Sequence, residues 1–313
     1  MTGGADYTSP VVPSPVHTPV LLQEALTLLD PQEGETVCDV TLGLGGHAEA
    51  FLQKVASGGT LIGLDADAQN LASAEERLKS LPGHLDLRHA NFRDLQQLSL
   101  PQVDVLFADL GLSSPHVDDA KRGFTFREDV PLDLRFDRTR GVSAAAWLQQ
   151  ISEEDLTHAL QEFGEVRGAR RLAERLKEHI MHTTFDVVHA VEAAFGWRAK
   201  TVMAQVFQAL RIAVNDELGA LDSLLAAGPS LLKPGGRMGV ISYHSLEDRR
   251  VKQVFRTLTT APVHPDTGQD LHPALFALLT RKAIVPSDAE QSRNPRSRSA
   301  KLRVIMRSAA TPA

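Results

Sequence analysis

The chain has 313 residues, of which 42% are hydrophobic and 23% charged: the balance of a folded globular protein, with length for about two domains. Its single cysteine, Cys38, excludes an internal disulfide and points to a reducing, cytoplasmic compartment. No apolar run reaches the ~18 residues that span a bilayer, and the first residues lack the plan of a signal peptide. The net charge of −6 argues against a broad nucleic-acid surface. Yet Arg281 to Arg307 hold eight basic and two acidic residues, so one end of an acidic chain is basic.

Residues 1–15 are rich in Pro, Ser, Thr and Gly without periodicity, which predicts disorder. Thr18 as cap and Pro19 as first helical residue predict a helix running to about Leu29. From Thr36 strands and helices alternate. A strand ending at Asp39 leads through Gly43, Gly45 and Gly46 into a helix over 47–55. Strand 60–65, helix 68–80 and strands 85–89 and 103–109 follow, the pattern of a parallel sheet covered on both faces. The rhythm then breaks. A turn-rich stretch, 115–140, precedes helices over 144–150, 153–163, 170–182, 186–195 and 201–214, with Ser152 and Asp155 spaced as a capping box. The sheet resumes after a helix over 217–232: Lys233-Pro234-Gly235-Gly236 turns the chain into a strand over 237–243, a helix spans 246–258, and a last strand covers 302–307. The stretch 259–292 reads as irregular with helical pieces. The expected organisation is an α/β domain of residues 16–114 and 215–313, interrupted by an all-helical insert of 115–214.

The chemistry is expected where the strands end. A strand that stops at a glycine loop places backbone N–H groups and a helix N-terminus at the edge where open α/β sheets bind ligands. Asp65, about twenty residues on at the end of the second strand, suits the hydroxyls of a ribose. Gly43, Gly45 and Ala48 also fit a dinucleotide fingerprint, so an NAD-dependent oxidoreductase competes with a methyltransferase using S-adenosylmethionine (SAM). Asp39, Asp65 and Asp109 end three strands at one edge, and unpaired buried carboxylates are costly unless a ligand meets them. Phe92 follows the third strand, where a ring can cover an adenine. A metal site at His244, Ser245, Glu247 and Asp248 is not expected, because no second His or Cys cluster supports it.

Several long motifs carry a resemblance. They are His17 to Glu24, Asp39 to His47, Asp109 to Pro115, Arg122 to Phe126, Pro131 to Arg135, Phe207 to Ile212, Ile241 to Arg249 and Asn294 to Ser299. Through them the chain, from about His17 to Arg307, resembles the RsmH (MraW) family of SAM-dependent methyltransferases of bacterial small-subunit ribosomal RNA. The resemblance implies a class I SAM-dependent methyltransferase (Rossmann-like) sheet with an inserted all-helical domain. It also implies methylation of the exocyclic N4 of a decoding-centre cytidine, position 1402 in the usual 16S rRNA numbering, within the small ribosomal subunit. By position, cofactor contacts fall on Gly45, Gly46, His47, Asp65, Phe92 and Asp109.

Two departures stand out: His116 occupies a cofactor position where the family usually has Gln, and Tyr243 a position where it usually has Phe. Methyl transfer to an amine needs alignment and a group to take its proton, for which Asp109, Asp133 and His244 are candidates. Phe124, Phe126 and Phe136 are rings that can stack on a base or pack the junction with the insert. Arg293, Arg296 and Arg298 are candidate contacts to rRNA phosphates. A non-catalytic RNA-binding assembly factor is the remaining alternative.

Overall fold

The computed structural model describes residues 19–309 apart from 114, 115, 117, 265, 266 and 268. The expected disorder of 1–15 and the proposed cap Thr18 lie outside the described residues. The first helix, α1 (Leu22–Leu29), begins three residues later than expected at Pro19. Leu21 sits in the left-handed region at φ 54°, and its N–H donates to the Glu290 carboxylate at 2.8 Å, so the chain enters the helix from a kink anchored to the far end of the sequence.

Seven strands form one sheet: β1 (Thr36–Asp39), β2 (Thr60–Asp65), β3 (His84–His89), β4 (Val103–Asp109), β5 (Leu232–Ser242), β6 (Phe276–Leu278) and β7 (Lys301–Arg307). Their order is β3-β2-β1-β4-β5-β7-β6. The first five pair in parallel, and β7 runs antiparallel to both its neighbours. This is the class I methyltransferase sheet. The chain reverses direction in strand order between β1 and β4, and in open α/β sheets ligands bind outside the strand C-termini at such a switch point.

Two-residue periodicity sorts the strand side chains into two cores. Val37, Leu61, Val105, Phe107 and Ile241 pack with α1, α2 (Gly46–Val55) and α3 (Ala68–Leu78). Their sequence neighbours Cys38, Ile62, Leu106, Ala108 and Val240 pack with α9 (Glu217–Leu231) and α10 (Ser245–Leu258). Both faces are therefore dry, as the near-continuous apolar strands require.

Five helices between β4 and β5 build a third core: α4 (Ala144–Gln150), α5 (Glu153–Gly164), α6 (Ala169–Glu178), α7 (Thr184–Phe195) and α8 (Ala199–Asn215). Leu132 and Leu134, from the turn-rich stretch before them, are buried in it. Strand β5 starts five residues earlier than expected. Leu232 already pairs with Val103, and residues 233–236 form an irregularity before Arg237 pairs with Val105. Within the stretch expected to be irregular with helical pieces, β6 is too short to leave a periodic signature, while α11 (Asp288–Arg293) is a helical piece that runs one residue past its end.

Phe107 is fully buried, with its ring 4.7 Å from that of His47 and 5.1 Å from that of Phe51. Phe107→Ala is expected to destabilise the protein by about 3–5 kcal/mol. Urea unfolding measures this as a lower midpoint at unchanged slope.

Candidate active site

A cavity of ≈ 450 Å³ opens at the C-terminal edge of β1, β2 and β4, lined by residues 40–44, Gly46, His47, Asp65, Phe92, Asp109 and Tyr243; Gly45, an expected cofactor contact, does not line it. The carboxylates at the strand ends do different work. Asp39 is 1% exposed and does not line the cavity; its Oδ1 accepts from the Thr41 N–H (3.0 Å) and hydroxyl (3.3 Å). Thr41 Oγ1 in turn accepts from the Asp109 N–H at 2.6 Å. Asp39 thus shapes the loop that faces the ligand space. Burial raises its pKa to about 7.

Asp65 also supports the loop. Its Oδ2 accepts from Gly43 N–H at 2.7 Å, and its Oδ1 from Asp67 N–H at 2.7 Å and from Asn70 Nδ2 at 3.3 Å. Burial raises its pKa, opposed by these bonds. Each carboxylate oxygen accepts more than one bond, so Asp65 at the cavity wall keeps capacity for a ligand hydroxyl. Gly45 precedes α2 in the left-handed region at φ 77°, where a Cβ would lie 3.3 Å from that of Ala74. A Cβ on Gly46 would lie 2.6 Å from Pro19 Cγ. The first N–H groups of α2 have no intrahelical acceptor and form a donor set for an anion.

Asp109 is the most exposed of the three strand-end acids. Its side chain is 23% exposed; Oδ1 accepts from the Tyr243 hydroxyl at 2.8 Å, and Oδ2 lies 3.6 Å from His47 Nδ1. The other ring nitrogen of His47 is 2.9 Å from the Val20 carbonyl. Burial raises the Asp109 pKa to about 7, opposed by the Tyr243 bond and reinforced by Asp39 and Glu247. Behind Tyr243 sits a charged cluster in which the expected His244 and Glu247 are joined by Arg211 and Glu217, given no role in the sequence: Arg211 forks onto Glu217 at 2.7 and 2.9 Å, and His244 Nε2 is 3.1 Å from Glu247 Oε1. Arg211, Glu217 and Glu247 line the cavity. Glu217, His244 and Glu247 lie within metal-ligating reach of one another, but both Glu217 oxygens already accept from Arg211.

His116 is 5% exposed and lines the cavity. Its Nδ1 is 3.0 Å from Ser113 Oγ, its Nε2 is 3.1 Å from Asp67 Oδ2, and its ring stacks on that of Phe136 at 5.1 Å. Arg122 completes this group, donating to Asp67 Oδ2 at 2.7 Å and to the Arg135 and Phe136 carbonyls. These bonds hold the Asp67 carboxyl well below the usual carboxylate range, against its burial.

Other expected site residues are placed elsewhere. Asp133 does not line the cavity. It accepts from Arg135 at 2.6 and 3.1 Å and lies 3.3 Å from Arg138 Nε, so its pKa is lowered and its lone pairs are committed. Phe124 stacks on Phe136 at 5.7 Å, and Phe126 meets Phe207 in a tilted contact at 5.3 Å; both pack against the helical core, and neither lines the cavity. Phe136 does line it. Arg296 is at the cavity rim, 2.9 Å from Asp118, while Arg293 and Arg298 are exposed beside it in sequence.

Residues 14–308 match the model of the MraW methylase family. The chain belongs to this family. It is 45% identical over 298 residues to a protein of Myxococcus xanthus named "Ribosomal RNA small subunit methyltransferase H", covering 92% of this chain and 96% of the relative. It is 43% identical over 307 residues to one of that name from Syntrophotalea carbinolica, covering 93% and 98%.

The Tyr243 hydroxyl favours the ionised carboxylate to which it donates; without it, the Asp109 pKa rises. With the wild-type pKa at about 7, Tyr243→Phe is therefore expected to move the acid limb of the methyl-transfer pH profile above neutrality, costing activity at and below pH 7 and recovering only above the raised pKa. The limb is read from rates at saturating cofactor, and Asp39, His47 and Glu247, the other charged or titratable groups facing Asp109, are unchanged in the variant.

Proposed function

We propose that this chain transfers the methyl group of SAM to the exocyclic N4 of the decoding-centre cytidine of 16S rRNA in the small ribosomal subunit. The observation that carries the reading is Asp109: a half-buried carboxylate at a strand end, facing a cavity with a glycine loop and a helix N-terminus on one side and the helical insert on the other. The cavity volume suits a ligand of nucleoside size. Asp65 suits the ribose hydroxyls, Phe92 the adenine, and the N–H groups of Gly46 and His47 the carboxylate of the amino-acid end. The names borne by the relatives supply the RNA class.

When bound, SAM supplies a methyl group made electrophilic by its sulfonium. Cytosine N4 is a weak nucleophile because its lone pair is shared with the ring. Asp109 accepts a hydrogen bond from one N4–H, fixes the amine in line with the methyl, and takes the proton released once the N–C bond has formed. A pKa of about 7 suits a group that must accept a proton and return it to water near neutrality. The target base enters unpaired, since the amine is out of reach in a stacked duplex. Phe136, at the wall shared by the cavity and the turn-rich stretch, is the ring for it to stack on. Arg296 at the rim, with Arg293 and Arg298, holds flanking phosphates.

Mass spectrometry of nucleosides from 16S rRNA and small subunits incubated with the protein and SAM tests this reading. N4-methylcytidine is the expected product; a methyl on ribose or a ring carbon, or no product, overturns it. Stabilisation by S-adenosylhomocysteine and not by NADH separates it from the oxidoreductase alternative. Asp109→Asn is expected to lower turnover by about 10²–10⁴-fold while largely keeping affinity for S-adenosylhomocysteine. If Asp109→Asn turns over normally while His244→Ala or Asp133→Asn is inactive, the acceptor is one of those groups instead.

A further inference from the structure

Trp197 is 89% exposed, the most exposed large apolar side chain among the described residues, the next being Val263, Leu271, Val285 and Ile180 at 54–59%. Its ring is far from the cavity described above, on the turn Gly196–Arg198 that joins α7 to α8. A tryptophan left in water forgoes its burial energy, and a lone one marks a contact when its surroundings are organised for a partner.

Here they are. A Cβ on Gly168 would lie 3.3 Å from the Phe195 ring, so the turn between α5 and α6 abuts the one that carries Trp197. Residues 165–171 and 196–200 together present Arg167, Arg170, Arg171, Arg198 and Lys200, all exposed, against one acid, Glu165. Among the described residues only Arg170 of these five has an ion pair, with Glu174 at 3.3 Å, both solvent-exposed and so weakly coupled. The protein as a whole carries −6, so this local excess of cations runs against its composition.

The helices of the insert sharpen the contrast. Helix α5 begins with Glu153, Glu154 and Asp155, and α7 with a Thr183–Asp186 capping box, as the helix dipole favours. Helices α6 and α8 have no acid in the first turn. They carry Arg170 and Arg171, and Arg198 and Lys200, where positive charge is disfavoured. Like-signed partial charges and cations gathered at one surface are relieved by an external polyanion.

We propose that this end of the insert is an RNA-docking surface, with the cations on the phosphodiester backbone and Trp197 stacked on an unpaired base. The surface engages RNA outside the cavity and positions the insert over the substrate. The inference rests on the reading of rRNA as substrate. A polyanion is favoured over a protein partner because the patch is a single exposed ring among five cations, without an apolar groove.

The test uses the full chain, protein-free 16S rRNA and intact small subunits. Trp197→Ala is expected to weaken binding to protein-free rRNA about 5-fold or more, and Trp197→Phe to recover most of it. Replacing Arg167, Arg171 and Arg198 with Gln is expected to reduce the slope of log affinity against log salt by about 2. Unchanged S-adenosylhomocysteine affinity and thermal midpoint show that the fold and the cofactor site are intact in these exposed variants. Unchanged rRNA affinity and salt slope in both variants overturn the proposal, as does a loss confined to intact subunits, which assigns the surface to a ribosomal protein. Formation of N4-methylcytidine by the wild-type protein is scored separately, so the surface can fail while the reaction stands, or the reaction can fail while rRNA binding persists.

Discussion

The ion pair between Arg122 and Asp67 joins the turn-rich stretch before the helices to the loop that follows β2. Its side chains are 3% and 7% exposed. Two charges are taken out of water, and the cost is offset by the bonds they make: Asp67 also accepts from the Gln69 N–H and contacts His116, and Arg122 also donates through its Nη2 to two backbone carbonyls, leaving only its buried Nε without a partner. A pair of this kind adds little net stability over an apolar substitute, yet losing one partner leaves a buried charge and costs about 3–5 kcal/mol. It specifies one arrangement. Through His116, Ser113 and Asn70 the same network reaches Asp65, so the position of the helical half and the shape of the cavity wall are set by one connected set of bonds.

A second constraint runs along the sheet edge. Strand-end carboxylates in a parallel sheet sit close together, and each raises the proton affinity of the next. Asp39 resolves its charge inward, through Thr41, and Asp65 through backbone N–H groups. Asp109 is left with Tyr243 on one oxygen and His47 at 3.6 Å from the other. The two buried carboxylates hold the loop that lines the cavity, and the third is the more exposed, which is why the proposed proton acceptor is Asp109. Three residues of one type at equivalent strand ends thus sit in different surroundings, set by which groups meet each carboxylate.

Much of this was written in the sequence. Near-continuous apolar strands alternating with helices determined a parallel sheet covered on both faces, since each strand had to bury both its sides. The break in that rhythm after Asp109 marked the start of the helical block. The glycines at 43, 45 and 46 marked the turn from β1 into α2 at the edge where the cavity opens: Gly43 and Gly45 hold left-handed φ, and a Cβ on Gly46 would meet Pro19. Local signals were strongest where one element decides its own form: α4 begins at the serine-capped Ala144 expected from pattern alone, and the Ser152 cap opens α5 where its spacing indicated.

Tertiary structure decided what depends on distant partners. Nothing in Asp133 itself tells that Arg135 and Arg138 occupy its oxygens, or in Phe126 that Phe207, 81 residues later, receives its ring. The late start of α1 depends on Glu290, 269 residues away, and β6 exists only because β7 offers an edge to pair with. The cluster of Arg211, Glu217 and Glu247 at the cavity assembles from two helix starts and a helix end that no local window contains. Backbone propensity and periodicity act over a few residues and are legible in order along the chain. Charge pairing and ring packing act through space, and which partner wins is fixed only when the layers have closed.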